Sequence, residues 1–284
     1  MNTDTDADLL AGAEHLKPVT PLKKRATYLP RIADDEGGWR RWWRLPEGDV
    51  LDPCYDYTRQ VFTGSMPESA TEPVTWREAT WEWNRDLTFH IAAQVPGCCT
   101  ARQGWKLFDL AQQQAARGAQ DGRGTVIVEV GSAFGLSATW LGWGARSADP
   151  HARLFCVDTF HGTPRGDGYL WPESVLGEFT GNIAYAGLRD HVTPIVGRSE
   201  EAAQAWDGSP ISLLYVDASH TYHACRNDFL RFAPYLVPGA IVAFDDCIPA
   251  FRDIMRFQRE LAAERRLRLL GRADAMLYWQ VPES

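Results

Sequence analysis

The sequence predicts an α/β fold built on a doubly wound, mostly parallel sheet. From residue 125 onward, short apolar runs rich in β-branched residues alternate with amphipathic helical segments. The runs are apolar at successive positions, as expected of strands that are covered by helices on both faces of a sheet. Acidic or small residues follow directly after several runs, at the edge where an open parallel sheet binds its ligands.

The predicted elements follow one another in a regular order. Five strand-like runs alternate with helical segments, and two more close the chain after a long helix, which makes seven strands. Because two strands joined by a short turn pair antiparallel, we expect an antiparallel edge strand. The strands are expected at 125–130, 154–160, 192–197, 211–217, 240–246, 266–271 and 275–281. The helices are expected at 101–118, 136–147, 199–206, 222–235 and 249–264.

Residues 1–100 differ in composition and periodicity from the rest of the chain. Six of the twelve tryptophans fall between residues 39 and 83, among several prolines and few periodic segments. Such a stretch cannot form a large core alone, so it is expected to wrap the core, line a pocket or form a subunit contact. Its rings could equally pack the extension onto the core. The predicted boundaries are an N-terminal extension at 1–100 and a core domain at 101–284.

Composition excludes several classes of partner. The net charge is −8 and the pI about 5.4, so the chain repels phosphate backbones and we expect no nucleic acid partner. No apolar run approaches the roughly 20 residues that a membrane span needs, and residues 1–10 are polar and acidic rather than signal-like. The six cysteines include no C-x-x-C pair. These features predict a cytoplasmic protein with reduced thiols.

A glycine-containing loop follows the first predicted strand. Residues 129–137 read EVGSAFGLS, and the helix expected from residue 136 begins within them. Gly131 and Gly135 would let the backbone turn tightly and approach a ligand, and the helix start offers free amide groups. The spacing departs from the G-x-G-x-x-G pattern of dinucleotide-binding loops, so the loop alone is a weak signal.

Two more residues at the ends of strands are candidates for binding a nucleotide-like cofactor. Asp158 ends the second strand, where a carboxylate can accept hydrogen bonds from both ribose hydroxyls of S-adenosylmethionine or of NAD. Ser199 follows the third strand in the sequence GRSE, which could form the wall of an adenine site. A simple helix cap is an equally good interpretation of Ser199.

Three aspartates follow the fourth and fifth strands. Asp217 ends the fourth strand, and Asp245 and Asp246 end the fifth. Neighbouring strands would bring these carboxylates together, and unpaired carboxylates repel one another unless a cation neutralises them. Oxygen ligands of this kind suit Mg²⁺. The alternative is that Asp217 caps the next helix while the other two pair with arginines.

A histidine and a long loop complete the candidate site. His220 lies three residues after Asp217, in DASHTY, and a histidine there titrates near neutrality and can accept a hydroxyl proton. A surface or capping role is the alternative. The loop 162–178 is rich in glycine and proline and lies on the ligand side of the sheet. It is expected to be a lid or substrate loop, with Tyr169 and Trp171 as contacts.

Residues 127–246 resemble the class I S-adenosylmethionine-dependent methyltransferases, which have a Rossmann-like fold. The subgroup that they resemble includes metal-dependent sugar O-methyltransferases of antibiotic biosynthesis. The resemblance rests on VEVGSAFGLSATWL, FCVDTFHGTP, NIAYAGLRDHVTPIVGRSEEA and LLYVDASHTYHACRNDFLRFAPYLVPGAIVAFDDC. It implies S-adenosylmethionine as cofactor, a divalent cation such as Mg²⁺, a general base and a homo-oligomer. The cofactor residues that it implies are Glu129, Gly131, Ser132, Gly135, Ser137, Asp158, Ser199 and Asp217. The metal ligands are Asp217, Asp245 and Asp246, and the base is His220.

The function expected from the sequence is therefore methyl transfer from S-adenosylmethionine to a small acceptor. The leading acceptor is a hydroxyl of a sugar or another small natural product, in antibiotic or other secondary-metabolite biosynthesis. A phenol or an amine is an alternative acceptor. A nicotinamide-dependent oxidoreductase on the same kind of sheet, or a binding protein without catalysis, are alternative classes; the irregular glycine loop and the three aspartates argue against them.

Overall fold

The structure is a computed structural model that describes residues 88, 91–92, 95–162 and 173–283. The predicted extension at 1–100 lies almost entirely outside the described residues. So do Tyr169 and Trp171 of the predicted substrate loop, and the division of the chain at residue 100 stays a prediction.

A seven-stranded sheet forms the centre of the described chain, with the strand order β3-β2-β1-β4-β5-β7-β6. The strands are β1 (Val126–Val130), β2 (Arg153–Asp158), β3 (Val192–Val196), β4 (Ile211–Val216), β5 (Leu236–Phe244), β6 (Arg268–Ala273) and β7 (Met276–Gln280). The helices are α1 (Ala101–Gln120), α2 (Leu136–Ala148), α3 (Leu176–Tyr185), α4 (Ser199–Gln204), α5 (Tyr222–Phe232) and α6 (Arg252–Glu264). A short 3₁₀ turn, Ala233–Tyr235, follows α5.

The predicted fold class is confirmed. Strands β1 to β5 run parallel, and β7 pairs antiparallel with both β5 and β6. The reversed strand is therefore β7, inserted between β5 and β6, and β6 forms the edge. No helix in the described part of the chain is long and apolar enough to cross a membrane.

Side chains from the two faces of the sheet form two hydrophobic cores. Every residue of β1 and β4 is buried, as the apolar runs predict for central strands. Helices α1, α2 and α3 pack on one face and α4, α5 and α6 on the other. The first core includes Leu107, Trp140, Phe179, Ile127 and Tyr215, and the second includes Ala202, Phe229, Phe257, Val128 and Phe244.

Helices α1 and α2 cross in close contact because two glycines lie between them. A Cβ atom on Gly144 would lie 2.3 Å from the carbonyl oxygen of Phe108, and one on Gly104 would lie 2.3 Å from Nε1 of Trp140. This contact holds the start of α1 beside the carboxyl ends of the strands. Thr100 caps α1 there and forms a capping box with Gln103.

Helix α3 was not expected from the sequence, where its first residues belong to the predicted loop. Its buried residues are Phe179, Asn182 and Ile183. Asn182 Nδ2 donates a 2.8 Å hydrogen bond to the carbonyl oxygen of Phe134 in the glycine-containing loop. Tertiary packing therefore stabilises a segment that has little helical periodicity of its own.

Candidate active site

The candidate site lies at the carboxyl ends of β1 to β5, where the parallel hydrogen-bond ladder continues one residue beyond the strands. The amide of Gly131 donates to the carbonyl of Val157 at 2.9 Å, and the amide of Asp217 donates to that of Val130 at 2.8 Å. The amide of Asp245 donates to a carbonyl of β4 at 3.1 Å. These bonds place the residues after neighbouring strands side by side, around a cavity of about 470 Å³.

The loop between β1 and α2 requires glycine at its first position. Gly131 has a φ of +93°, and a Cβ there would lie 2.1 Å from the carbonyl oxygen of Asp217. Ala133 has a φ of +44° and is held by a 2.8 Å hydrogen bond from its amide to Oδ2 of Asp158. The backbone therefore approaches the end of β4 more closely than any residue with a side chain would allow.

Six of the eight predicted cofactor residues line the cavity: Gly131, Ser132, Ser137, Asp158, Ser199 and Asp217. The other two predicted residues, Glu129 and Gly135, lie behind the wall of the cavity. Glu129 is completely buried, and its Oε2 accepts a 3.2 Å hydrogen bond from Sγ of Cys156. Burial raises the pKa of Glu129, and the nearby Ser132 and Ser137 lower it only in part. Gly135 is the N-cap residue of α2 and packs under Phe179.

Asp158 joins two loops at the end of β2. Its Oδ1 accepts a 2.7 Å hydrogen bond from the amide of Phe160, and its Oδ2 accepts one from the amide of Ala133. A carboxylate oxygen has two lone pairs, so each oxygen of Asp158 can accept a second hydrogen bond from the cavity. Asp158 therefore both positions the glycine-containing loop and offers acceptors to a ligand.

The hydroxyl of Tyr215 contacts both Asp217 and Asp245. Tyr215 Oη is 3.2 Å from Oδ2 of Asp217 and 3.0 Å from Oδ2 of Asp245. Burial raises the pKa of Asp217, and the charge of Asp245 raises it further. Burial and the charge of Asp246 raise the pKa of Asp245 in the same way. A single phenol proton is thus shared between a half-buried and a buried carboxyl group.

Asp245 also receives a hydrogen bond from the start of α1. Gln103 Nε2 donates to Oδ1 of Asp245 at 2.5 Å, and the amide of Asp246 donates to the same oxygen at 2.8 Å. Gln103 Oε1 accepts a 2.9 Å hydrogen bond from the amide of Thr100. The side chain of Gln103 therefore takes part both in the capping box of α1 and in the contact with Asp245. Sequence reasoning missed Gln103; the T-x-x-Q capping pattern was its only local signal.

His220 is paired with Asp246. Nε2 of His220 lies 2.6 Å from Oδ2 of Asp246, and the imidazole stacks on the ring of Phe251 with 4.2 Å between centroids. The His220 side chain is 20% exposed, on the cavity wall. Asp246 has a φ of +57°, a left-handed backbone conformation that aspartate tolerates better than most residues.

The structure thus brings the predicted base and all three predicted metal ligands to one cavity, but it pairs Asp246 with histidine. Within the described ranges, no group of three His, Cys, Asp or Glu side chains is arranged to hold a metal ion. The metal ligands and the roles of the site residues stay predictions.

Comparison with known proteins finds one family model that matches part of the chain. Residues 128–247 match the sequence model of a family described as "Methyltransferase domain". An uncharacterized protein, y4gI of Sinorhizobium fredii, is 30% identical over 124 residues, which are 42% of this chain and 13% of y4gI. The chain therefore spans only a small part of the length of that relative.

Two solved structures share the fold. The O-methyltransferase NovP is 16% identical with a TM-score of 0.53, over 66% of this chain and 82% of that one. An O-methyltransferase from Bacillus cereus, solved with S-adenosylhomocysteine, is 20% identical with a TM-score of 0.50, over 75% and 94% of the two chains. Residues 128–247 are therefore similar to a methyltransferase family, and the described chain shares the fold of these two O-methyltransferases.

Proposed function

We propose that this domain transfers a methyl group from S-adenosylmethionine to a hydroxyl of a sugar or other small natural product. One observation carries the proposal. The hydrogen-bonded pair of His220 and Asp246 lies on the wall of the same cavity as the Gly131 loop and Asp158. A proton acceptor and a cofactor site at one cavity are what transfer to a hydroxyl needs.

The cofactor would bind along the ends of β1, β2 and β3. The backbone at Gly131 and Ser132 and the first amides of α2 would contact the amino-acid portion of S-adenosylmethionine. Asp158 would accept hydrogen bonds from the ribose hydroxyls through the lone pairs that its two backbone contacts leave. Ser199, after β3, would contact the base. These placements follow the order of the strands across the sheet.

His220 would act as the general base. When bound, S-adenosylmethionine would supply the methyl group and leave as S-adenosylhomocysteine. The imidazole would take the proton from the acceptor hydroxyl. Asp246, 2.6 Å from Nε2, would hold the orientation of the ring and stabilise the imidazolium that forms. Phe251 limits rotation of the ring by stacking on it. The rest of the rate enhancement comes from aligning the two substrates in the cavity.

The chemistry of the three aspartates fits a divalent cation. Asp245 is buried and Asp217 is half-buried. They share the hydroxyl of Tyr215, and neither forms an ion pair with an arginine or lysine within the described residues. A divalent cation held by Asp217 and Asp245, with Asp246 as the third predicted ligand, would offset their repulsion. When bound, such a cation lowers the pKa of an acceptor hydroxyl.

Calorimetry on the full chain with S-adenosylhomocysteine, with and without Mg²⁺, tests the cofactor. Micromolar or tighter binding supports the proposal, whereas binding of NAD and not of S-adenosylhomocysteine would overturn it. Release of S-adenosylhomocysteine from S-adenosylmethionine, with sugar, phenol and amine acceptors in parallel, tests the acceptor. Activity that persists in excess chelator would remove the cation from the proposal.

A histidine variant tests the base. His220→Ala should lower kcat by roughly 100-fold or more, the usual contribution of a general base. His223→Ala is the matched control, since His223 is exposed on α5 and does not line the cavity. Equal activity of the two variants would exclude His220 as the base.

The homo-oligomer implied by the resemblance stays a prediction, which light scattering of the purified chain would test.

A further inference from the structure

Ser199 and Asp228 form a hydrogen-bonded pair on the wall of the cavity. Ser199 is the first residue of α4, directly after β3, and Asp228 lies on α5, which packs against α4. Oγ of Ser199 donates to Oδ1 of Asp228. Both residues line the cavity. Asp228 was not among the residues that the sequence singled out.

Asp228 is a buried acid without an ion-pair partner in the described part of the chain. It is only 7% exposed, and no arginine, lysine or histidine there forms a salt bridge with it. Burial raises the pKa of Asp228 to about 6, and the hydrogen bond from Ser199 opposes this shift. Burying a carboxylate without a countercharge lowers the stability of the folded protein. A role in ligand binding would explain why Asp228 lies on the wall of the cavity.

The number of protons in the pair limits what it can bind. A serine hydroxyl has one proton, and Ser199 donates that proton to Asp228. An ionised carboxylate has no proton to donate. The pair therefore presents only lone pairs to the cavity, and it can satisfy a ligand only by accepting hydrogen bonds.

The position of the pair indicates which part of a ligand it meets. The Gly131 loop follows β1, Asp158 follows β2, and Ser199 follows β3, the next strand along the sheet. A nucleoside whose ribose contacts Asp158 therefore has its base at β3. Among the groups of S-adenosylmethionine, the exocyclic amine of adenine is the hydrogen-bond donor on the base.

We propose that the Ser199–Asp228 pair selects adenine by accepting a hydrogen bond from its exocyclic amine. Asp228 is then a specificity-determining residue that acts through Ser199, because it takes the hydroxyl proton away from the cavity. This inference rests on the proposed cofactor.

The test compares S-adenosylhomocysteine with S-inosylhomocysteine, which has a carbonyl in place of the amine. At about pH 8, well above the pKa of Asp228, calorimetry on the full chain should show that S-adenosylhomocysteine binds roughly 10- to 100-fold more tightly, because a carbonyl would face unpaired lone pairs. In Asp228→Asn, the amide can donate to Ser199 and free the hydroxyl proton. The ratio of the two affinities should then fall below about threefold. Ser199→Ala should also lower the ratio.

Asp190→Asn is the matched control. It removes the same charge from an exposed residue that does not line the cavity, and it should keep the wild-type ratio. Because both ligands are measured on each variant, a general loss of folded protein does not change the ratio. If the wild type binds neither ligand, the proposed cofactor and this inference both fail. If S-adenosylhomocysteine binds but the ratio is near one, or Asp228→Asn keeps the wild-type ratio, this inference alone fails.

Discussion

The side chain of Gln103 joins the start of a helix to a carboxylate of the candidate site. Its Nε2 donates a hydrogen bond of 2.5 Å to Oδ1 of Asp245, while its Oε1 accepts from the amide of Thr100. Helix α1 therefore cannot shift at its first turn without disturbing the end of β5. The position of Asp245 depends on residues that are more than a hundred positions away in the chain.

Replacing Gln103 should destabilise the fold through both of its contacts. Gln103→Leu removes half of the capping box and leaves one oxygen of buried Asp245 with fewer donors, so we expect a loss of about 2–3 kcal/mol in the free energy of unfolding. Urea denaturation measures this loss in the free energy of unfolding. Gln113→Leu, at an exposed position of the same helix, should change stability by less than about 0.5 kcal/mol. Equal effects in the two variants would show that the contact with Asp245 contributes nothing.

Removing the hydroxyl of Tyr215 should leave Asp217 and Asp245 without their shared donor. Tyr215→Phe is expected to lower the free energy of unfolding by about 1–3 kcal/mol, with little change in packing volume. Denaturant titration of the purified variant gives this value. Tyr235→Phe is the control, because Tyr235 lies away from the cavity. A Tyr215→Phe protein as stable as the wild type would contradict the bridging role of the hydroxyl.

Glycine should be indispensable at residue 131 and dispensable at residue 177. Gly131→Ala places a Cβ atom 2.1 Å from the carbonyl oxygen of Asp217 at a φ of +93°, so the loop must move. We expect affinity for S-adenosylhomocysteine to fall by roughly 5- to 150-fold, since overpacking here costs about 1–3 kcal/mol and displaces the binding backbone. Calorimetry measures the affinity.

Gly177→Ala is the control for that variant. Gly177 lies in α3, and a Cβ there meets nothing within 4 Å, so alanine should be neutral or stabilise the helix by up to about 1 kcal/mol. Wild-type affinity in Gly131→Ala would refute the close approach of the loop to β4.

Asp228 should make stability depend on pH. Its pKa is raised from an ordinary value of 3.8 to about 6, so between these values the folded state binds more protons than the unfolded state. Stability then falls as pH rises through this window, which is opposite to the usual behaviour of a paired aspartate. Relative to Asp228→Asn, the wild type should lose roughly 2–3 kcal/mol between about pH 4 and pH 7.

Urea unfolding of both proteins across this pH range measures the difference. The free energy of unfolding of Asp190→Asn should change with pH in the same way as that of the wild type, because Asp190 is exposed. A constant difference between the wild type and Asp228→Asn would show that burial does not perturb Asp228.

The sequence by itself determined the class of sheet, the positions of its strands along the chain and the residues at the carboxyl ends of the strands. Local periodicity suffices for this, because apolar runs and helical spacing are set by neighbouring residues. It also determined that Asp217, Asp245 and His220 would meet at one edge, because the ends of adjacent parallel strands lie there.

Only the tertiary structure decided which side chains pair. Gln103 contacts Asp245, and Ser199 contacts Asp228, through the packing of helices that no local pattern specifies. Packing likewise stabilised α3 and placed Glu129 beneath the glycine-containing loop rather than on the cavity. A side-chain hydrogen bond depends on atomic positions to within a few tenths of an ångström, and those positions are set by the whole packed core.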